Sequence, residues 1–144
     1  MASATFAARA GPFHVSRDGD PPAVGLLVEA HHANTMGSAH GGVLATLADV
    51  ALGQAVKAEV RPGSRVMTAS MSLAFLGPGA VGDWIEAHAT IDRRGSSLVF
   101  ASCEIRSGER LIAKVSAVFA VRDAVGQSPL GGRPTEVGEE PLGA

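Results

Sequence analysis

Residues 40–60, HGGVLATLADVALGQAVKAEV, constrain this chain more than any other stretch: good helix formers, no proline, and a single carboxylate in the middle. Gly41 and Gly42 make a turn at the start, and the composition beyond them predicts a helix over about 42–60, roughly 28 Å long. Val43, Leu44, Leu47, Ala48, Val50, Ala51, Leu52, Ala55 and Val56 point nearly all the way round its axis, the pattern of a buried helix. Thr46, Asp49, Gly53 and Lys57 interrupt it at helical spacing and share one narrow stripe. Asp49 is mid-helix, where it caps nothing and gains little from the dipole. Such a carboxylate costs free energy unless it is paired or put to use; the plainer reading is a solvated residue beside Gln54 and Lys57.

The rest of the chain supplies strands to cover this helix. Residues 13–16 read as a short strand closed by the turn 17–22 (RDGDPP), and 23–30 as a strand with Val24, Leu26 and Val28 on one face. The loop HHANTMGSAHGG then delivers the chain to the helix, with chemistry suited to ligands. After RPGS at 61–64, alternating runs at 65–76, 83–92, 98–106 and 110–122 read as four strands whose short turns force antiparallel pairing. In the first, Met67, Ala69, Met71, Leu73 and Phe75 alternate with Thr68, Ser70 and Ser72, which puts Thr68 on a small polar face with the two serines.

The expected architecture is α+β: a strand or two, one long helix, and a four-stranded meander curved round it. One sheet covers one side of a helix that is apolar nearly all round, so a second copy of the chain is expected to cover the remainder. Residues 1–10 read as a loose tail, 11–122 as the domain, and 123–144, rich in Gly, Pro and Glu, as a disordered tail.

Composition removes several function classes. A formal charge of -2 with no long basic run argues against a dedicated nucleic-acid binder. Hydrophobic residues at 46%, with 4% aromatic and no Tyr, mean a core of Ala, Val, Leu, Ile and Met. No window reaches the roughly eighteen uninterrupted apolar residues of a membrane helix, and the first residues lack a hydrophobic signal core, so the reading is cytoplasmic. Cys103 is alone, which excludes an internal disulfide and a thiolate metal cluster and leaves a packed thiol. His31, His32 and His40 lack Cys or close carboxylate support, so no metal is expected.

The run Asn34, Gly37, His40-Gly41-Gly42, Leu47-Ala48-Asp49, followed by Gly77-Pro78 after a strand and by Gly82-Asp83, resembles the hotdog-fold acyl-CoA thioesterases, particularly the PaaI-like branch of the phenylacetate pathway. The resemblance spans roughly residues 12–121 in its order of elements. It rests on N-x-x-G-x-x-H-G-G with an aspartate seven residues after the second glycine; a bare HGG would be weak. It implies an antiparallel sheet wrapped round one long central helix, and hydrolysis of an acyl- or arylacyl-CoA thioester to free acid and CoA at a subunit interface. The assembly would be a dimer or a dimer of dimers, that is a homotetramer, with no metal and no cofactor beyond the CoA of the substrate.

The residue roles come from the same resemblance. Asp49 would be catalytic, attacking the thioester carbonyl or activating water; Gly41 or Gly42 would supply oxyanion amides; Asn34 would place the carbonyl or the water; and Thr68 would assist from the partner subunit. The physics is compatible, since a helix start offers unpaired N–H donors and partial positive charge. Asp49 lies roughly 10 Å along the axis from Gly42, so the two meet on one carbonyl only if each comes from a different subunit. His40 is either a general base or a loop residue whose ring hydrogen-bonds backbone to fix the turn. Arg93, Arg94, Gly95, Ser96 and Ser97 offer charge and N–H donors for the phosphate-bearing tail of CoA, although ordinary hairpin chemistry also explains them.

Three other functions compete. Hydratases of this fold use an Asp and a His five apart, as Asp83 and His88 are, but an odd separation in a strand sends the side chains to opposite faces. Dehydratases pair a loop His with a helical Glu, and here the helix has no Glu before Glu59. A non-catalytic acyl-CoA-binding module is the third, and it leaves Asp49 without employment.

Overall fold

The long helix forms where its residues predict it. The protein is described by a computed structural model over residues 5–123. Its elements are α1 (Phe6–Ala10), β1 (His14–Gly19), β2 (Pro22–Leu27), a 3-10 turn (Ala30–His32), α2 (Gly41–Glu59), β3 (Arg65–Phe75), β4 (Trp84–Arg94), β5 (Leu98–Ser107) and β6 (Arg110–Arg122). On α2, Leu44, Leu47, Ala48, Ala51, Leu52, Ala55 and Val56 are buried, a three-and-four spacing that gathers them on one face. That face meets Leu26, Ile85, Val99, Ile105, Val115 and Phe119 of the sheet in a single core. The other side of α2, with Thr46, Asp49 and Gly53, takes no share in this core.

All six strands form one antiparallel sheet in the order β1-β2-β4-β5-β6-β3. The expected meander is therefore corrected. β4, β5 and β6 are consecutive neighbours, but β3 pairs with β6 rather than β4. Residues 76–83, which look like a turn in sequence, carry the chain from one flank of the sheet to the other. The amides of Leu76 and Gly77 donate to Ile112 O, Gly79 O accepts from Ala39 just before α2, and Gly82 N donates to Val28 O beside β2. These bonds make the segment a crossing strap past the helix start, not a hairpin.

Three further boundaries differ from expectation, the first being β1, which runs on to Gly19 through the start of the turn expected at 17–22. The second strand stops at Leu27 and not at residue 30, because Ala30–His32 winds into the 3-10 turn. Phe6–Ala10, read as part of a loose tail, forms a short helix whose Thr5 Oγ1 accepts from Ala8 N. The tail expected over 123–144 lies, beyond Asp123, outside the described residues.

β3 contains the irregularity that matters most. Thr68 pairs with Phe119 and Ser70 with Val118, so Ala69 is an extra residue. Phe119 is a core residue, and its partner Thr68 consequently faces the helix. Beyond the bulge Met71, Leu73 and Phe75 take the inward face, opposite Ala117, Val115 and Ala113, while Ser70 and Ser72 point away. Strict alternation grouped Thr68 with those serines; the bulge separates it from them.

Cys103 is buried on β5, and that burial pushes its thiol up from 9.0 to about 12, against a smaller lowering from a backbone hydrogen bond of His88. The folded state holds this proton more tightly than the unfolded chain. Its contribution is whole below pH 9.0 and is lost as the pH climbs towards about 12. Alkylation by iodoacetamide at mildly alkaline pH should be slow in the native protein and fast in denaturant; equal rates would place the thiol outside the core.

Candidate active site

The start of α2 is shaped by His40. Its backbone is extended (φ -59, ψ 140), and its Nδ1 accepts the Gly42 amide at 2.9 Å, which makes His40 the N-cap. His40 O accepts from Val43 N and Leu44 N at 2.9 and 3.2 Å. The ring thus fixes the turn, the second of the two readings of this residue. Of the two glycine amides, that of Gly42 is occupied by the ring, while that of Gly41 has no acceptor among the described residues. A Cβ at Gly41 would meet the Phe75 ring at 3.2 Å, so the aromatic side chain borders the free amide directly. Because an imidazole is doing the work of a capping side chain, His40→Ala should cost about 1 kcal/mol in chemical denaturation and His40→Asn much less. Equal losses would mean that the cap is unimportant.

Two turns further along, Asp49 is half-buried within the single chain. Thr68 Oγ1 donates to Asp49 Oδ1 at 2.6 Å, a charge-assisted contact made possible by the bulge in β3. Asp49 Oδ2 has no hydrogen-bond partner among the described residues. Thr46 Oγ1 turns back to Gly42 O at 2.8 Å, leaving Asp49 as the acid on the stripe. Thr68 therefore meets Asp49 within one chain, whereas the resemblance had it assisting from a partner.

Asn34 organises its loop. Oδ1 accepts from Met36 N at 2.9 Å and Ser38 N at 3.2 Å, and its backbone N donates to Ser38 O at 2.7 Å. With Oδ1 used this way, the Nδ2 group is the end of Asn34 left to donate to a ligand. Arg93, Arg94, Gly95, Ser96 and Ser97 form the β4–β5 hairpin, where Gly95 N donates to Leu98 O at 2.7 Å. A cavity of about 330 Å³ beside it is lined by Arg61, Arg94, Ser96 and Val60, which places it at the far end of α2 from Gly41. A second, of about 490 Å³, is lined by Arg93, Ser97 and Phe100.

The competing constellations are taken apart by their contacts. Asp83 Oδ2 accepts from Ala80 N and from Arg110 Nη2, at 2.9 and 3.0 Å, while His88 pairs with Glu86 at 3.1 Å, so Asp83 and His88 serve different partners. His32 spends both ring nitrogens on backbone, with Nδ1 accepting from Glu29 N and Nε2 donating to Ala10 O. The inward turn of Thr68, the anchoring role of His32 and the Phe75 ring over Gly41 escaped the sequence reading. A bulge has no signature in an alternating pattern, and the other two are contacts between distant segments.

Residues 36–114 match the family model described as the Thioesterase superfamily. The chain belongs to the thioesterase superfamily. This thioesterase is 43% identical to the Pseudomonas aeruginosa protein PA0474 over 110 residues, 76% of this chain and 82% of that one. It is 33% identical over 80 residues to acyl-coenzyme A thioesterase 13 of Mus musculus, 56% of each chain. The E. coli PaaI protein, from the phenylacetic acid degradation operon, superposes with a TM-score of 0.75 at 24% identity, over 84% of this thioesterase and 87% of that chain. The sheet and helix are the hotdog arrangement, and the activity of the thioesterase is hydrolysis of a thioester.

Proposed function

We propose that the thioesterase hydrolyses an acyl-CoA or arylacyl-CoA to the free acid and CoA, with Asp49 as the base, at a site shared by two copies of the chain. The observation that carries this is a carboxylate held through one oxygen by Thr68 at 2.6 Å, on the same helix as the Gly41 amide, where the second oxygen and that amide are both without a partner among the described residues. In this reading Asp49 Oδ2 takes a proton from water as the water oxygen attacks the thioester carbon. The Gly41 N–H of the opposite copy donates to the oxygen that becomes negative. Collapse of the tetrahedral intermediate breaks the C–S bond, and the departing thiolate recovers the proton from Asp49. Asn34 Nδ2 orients the carbonyl or the water, and the Arg93–Ser97 hairpin takes the phosphates of CoA. CoA is here the leaving group, and the chemistry asks for carboxylate, hydroxyl and amide groups alone.

Three features support a second copy. Asp49 and Gly41 lie on one helix about 12 Å apart along its axis, too far to share a carbonyl. The Thr46–Asp49–Gly53 stripe is left outside the chain's own core, and β3 is an edge strand whose outer side has no pairing strand among the described residues. The described residues contain no helix long and apolar enough to cross a membrane. We place the enzyme in the cytoplasm, where CoA esters are made and used, as a dimer or a dimer of dimers.

Thiol release from a panel of acyl-CoAs, run beside calorimetric binding of the same esters, tests the reading. Release from at least one member is expected. Binding with no release from any would leave a module that holds acyl-CoA without turning it over.

A further inference from the structure

α1 is short, and a buried imidazole fastens it. His32 is 3% exposed; its Nδ1 accepts the Glu29 amide, so its proton is on Nε2, which donates to Ala10 O at 2.8 Å and Gly11 O at 3.1 Å. The carbonyl of the same residue accepts from His40 N at 2.8 Å, and His40 is the cap of α2. These links tie α1 to the first turn of α2. Between the two helices is a cavity of about 350 Å³, whose walls include Phe6, Arg9, His40, Gly42, Val43 and Thr46. Its volume is in the range of small-molecule sites.

Two donors on the lining have no acceptor among the described residues, the Arg9 guanidinium and His40 Nε2. Arg9 has no carboxylate within ion-pair distance among the described residues; Glu29 stands 3.8 Å from His31 Nδ1 and is not part of this wall. His40 accepts on Nδ1, so the neutral ring carries its proton on Nε2 and is a donor there. Phe6, Ala10, Ala33 and Val43 add apolar surface. An exposed guanidinium at the edge of a partly apolar cavity, with no carboxylate partner among the described residues, suits a carboxylate that approaches on an apolar stem. The cavity adjoins the Gly41–Gly42 turn, and the whole pantetheine arm separates a thioester carbonyl at that turn from the phosphates of CoA. A cation here is therefore out of reach of the phosphates and open to the acyl group.

Resting on the reading that the thioester carbonyl sits at Gly41, we propose that this cavity receives the far end of the acyl group and that Arg9 selects acyl chains ending in a carboxylate. Matched pairs test it: adipoyl-CoA against hexanoyl-CoA, and octanedioyl-CoA against octanoyl-CoA. The wild-type enzyme should favour the carboxylated member of each pair in kcat/KM by about tenfold or more, the size of a charge-assisted hydrogen bond. Arg9→Met should erase that preference by lowering kcat/KM for the carboxylated esters, mainly through KM, with the plain esters within about twofold of wild type, and Arg9→Lys should recover part of it. Equal kcat/KM within each wild-type pair would overturn the proposal while leaving the hydrolase reading intact. So would an Arg9→Met loss that falls on all CoA esters alike, which would put the guanidinium on CoA. Hydrolysis of no ester in any panel would remove the hydrolase reading and this one with it.

Discussion

Asp49→Ala should lower turnover of the preferred acyl-CoA by about 10²–10⁴-fold, the usual worth of a positioned acid–base group. The fold should survive, because Asp49 belongs to the stripe outside the core and its one side-chain partner among the described residues is Thr68. Circular dichroism and the thermal midpoint should match wild type, with the loss in kcat and KM nearly unchanged. Asp49→Asn keeps the shape and a hydrogen-bond acceptor for Thr68 but cannot take a proton, so it should be nearly as impaired. A folded Asp49→Ala protein that still releases thiol at the wild-type rate would dismiss the assigned chemistry.

The second large effect is expected at Gly41, where the amide itself is the reagent. Gly41 is the first residue of α2, a position at which proline is well tolerated because its missing N–H has no helical partner. The preceding His40 already has the extended conformation that a following proline requires. Gly41→Pro should therefore fold and lose about 10²–10³-fold in kcat, as removal of an oxyanion donor does. Gly41→Ala makes the same approach to Phe75 yet keeps the N–H, and is the control that should remain active. The two inactive variants also report on the shared site. If each site takes Asp49 from one copy and Gly41 from the other, an Asp49→Ala/Gly41→Pro mixed dimer has one intact site. Statistical exchange of subunits should then restore about a quarter of wild-type activity. No recovery after demonstrated exchange would place both groups of each site in a single chain.

Much of this was legible in the sequence. The long helix, the four later strands and the lone carboxylate all follow from periodicity, because a 19-residue α-helix and alternating strands leave strong local patterns. The family motif picks out Asn34, the two glycines and Asp49 as candidates, and the variants above test Gly41 and Asp49. Strand pairing was not legible in the same way. Gly77, Pro78 and Gly79 mark a turn whether the chain reverses into a hairpin or crosses to the far flank, and backbone bonds to Ile112, Ala39 and Val28 decide between them. The side-chain contacts of Thr68 were hidden for a related reason: alternation predicts a face only as long as the ladder has no spare residue. His40 was open between chemistry and turn formation, and the Gly42 amide on its Nδ1 gives it a part in the turn.

That spare residue gives β3 an uneven tolerance to length changes. Deleting Ala69 would leave Thr68 opposite Phe119 and Ser70 opposite Val118, a regular ladder with the hydroxyl still aimed at the carboxylate. Deleting Met67, by contrast, spares the Thr68 pairing but drags Arg65 and Val66 one step along β6, turning a charge towards the oil and a valine towards water. Shortened homologues or engineered loops should accordingly accept the loss at 69 and reject it at 67.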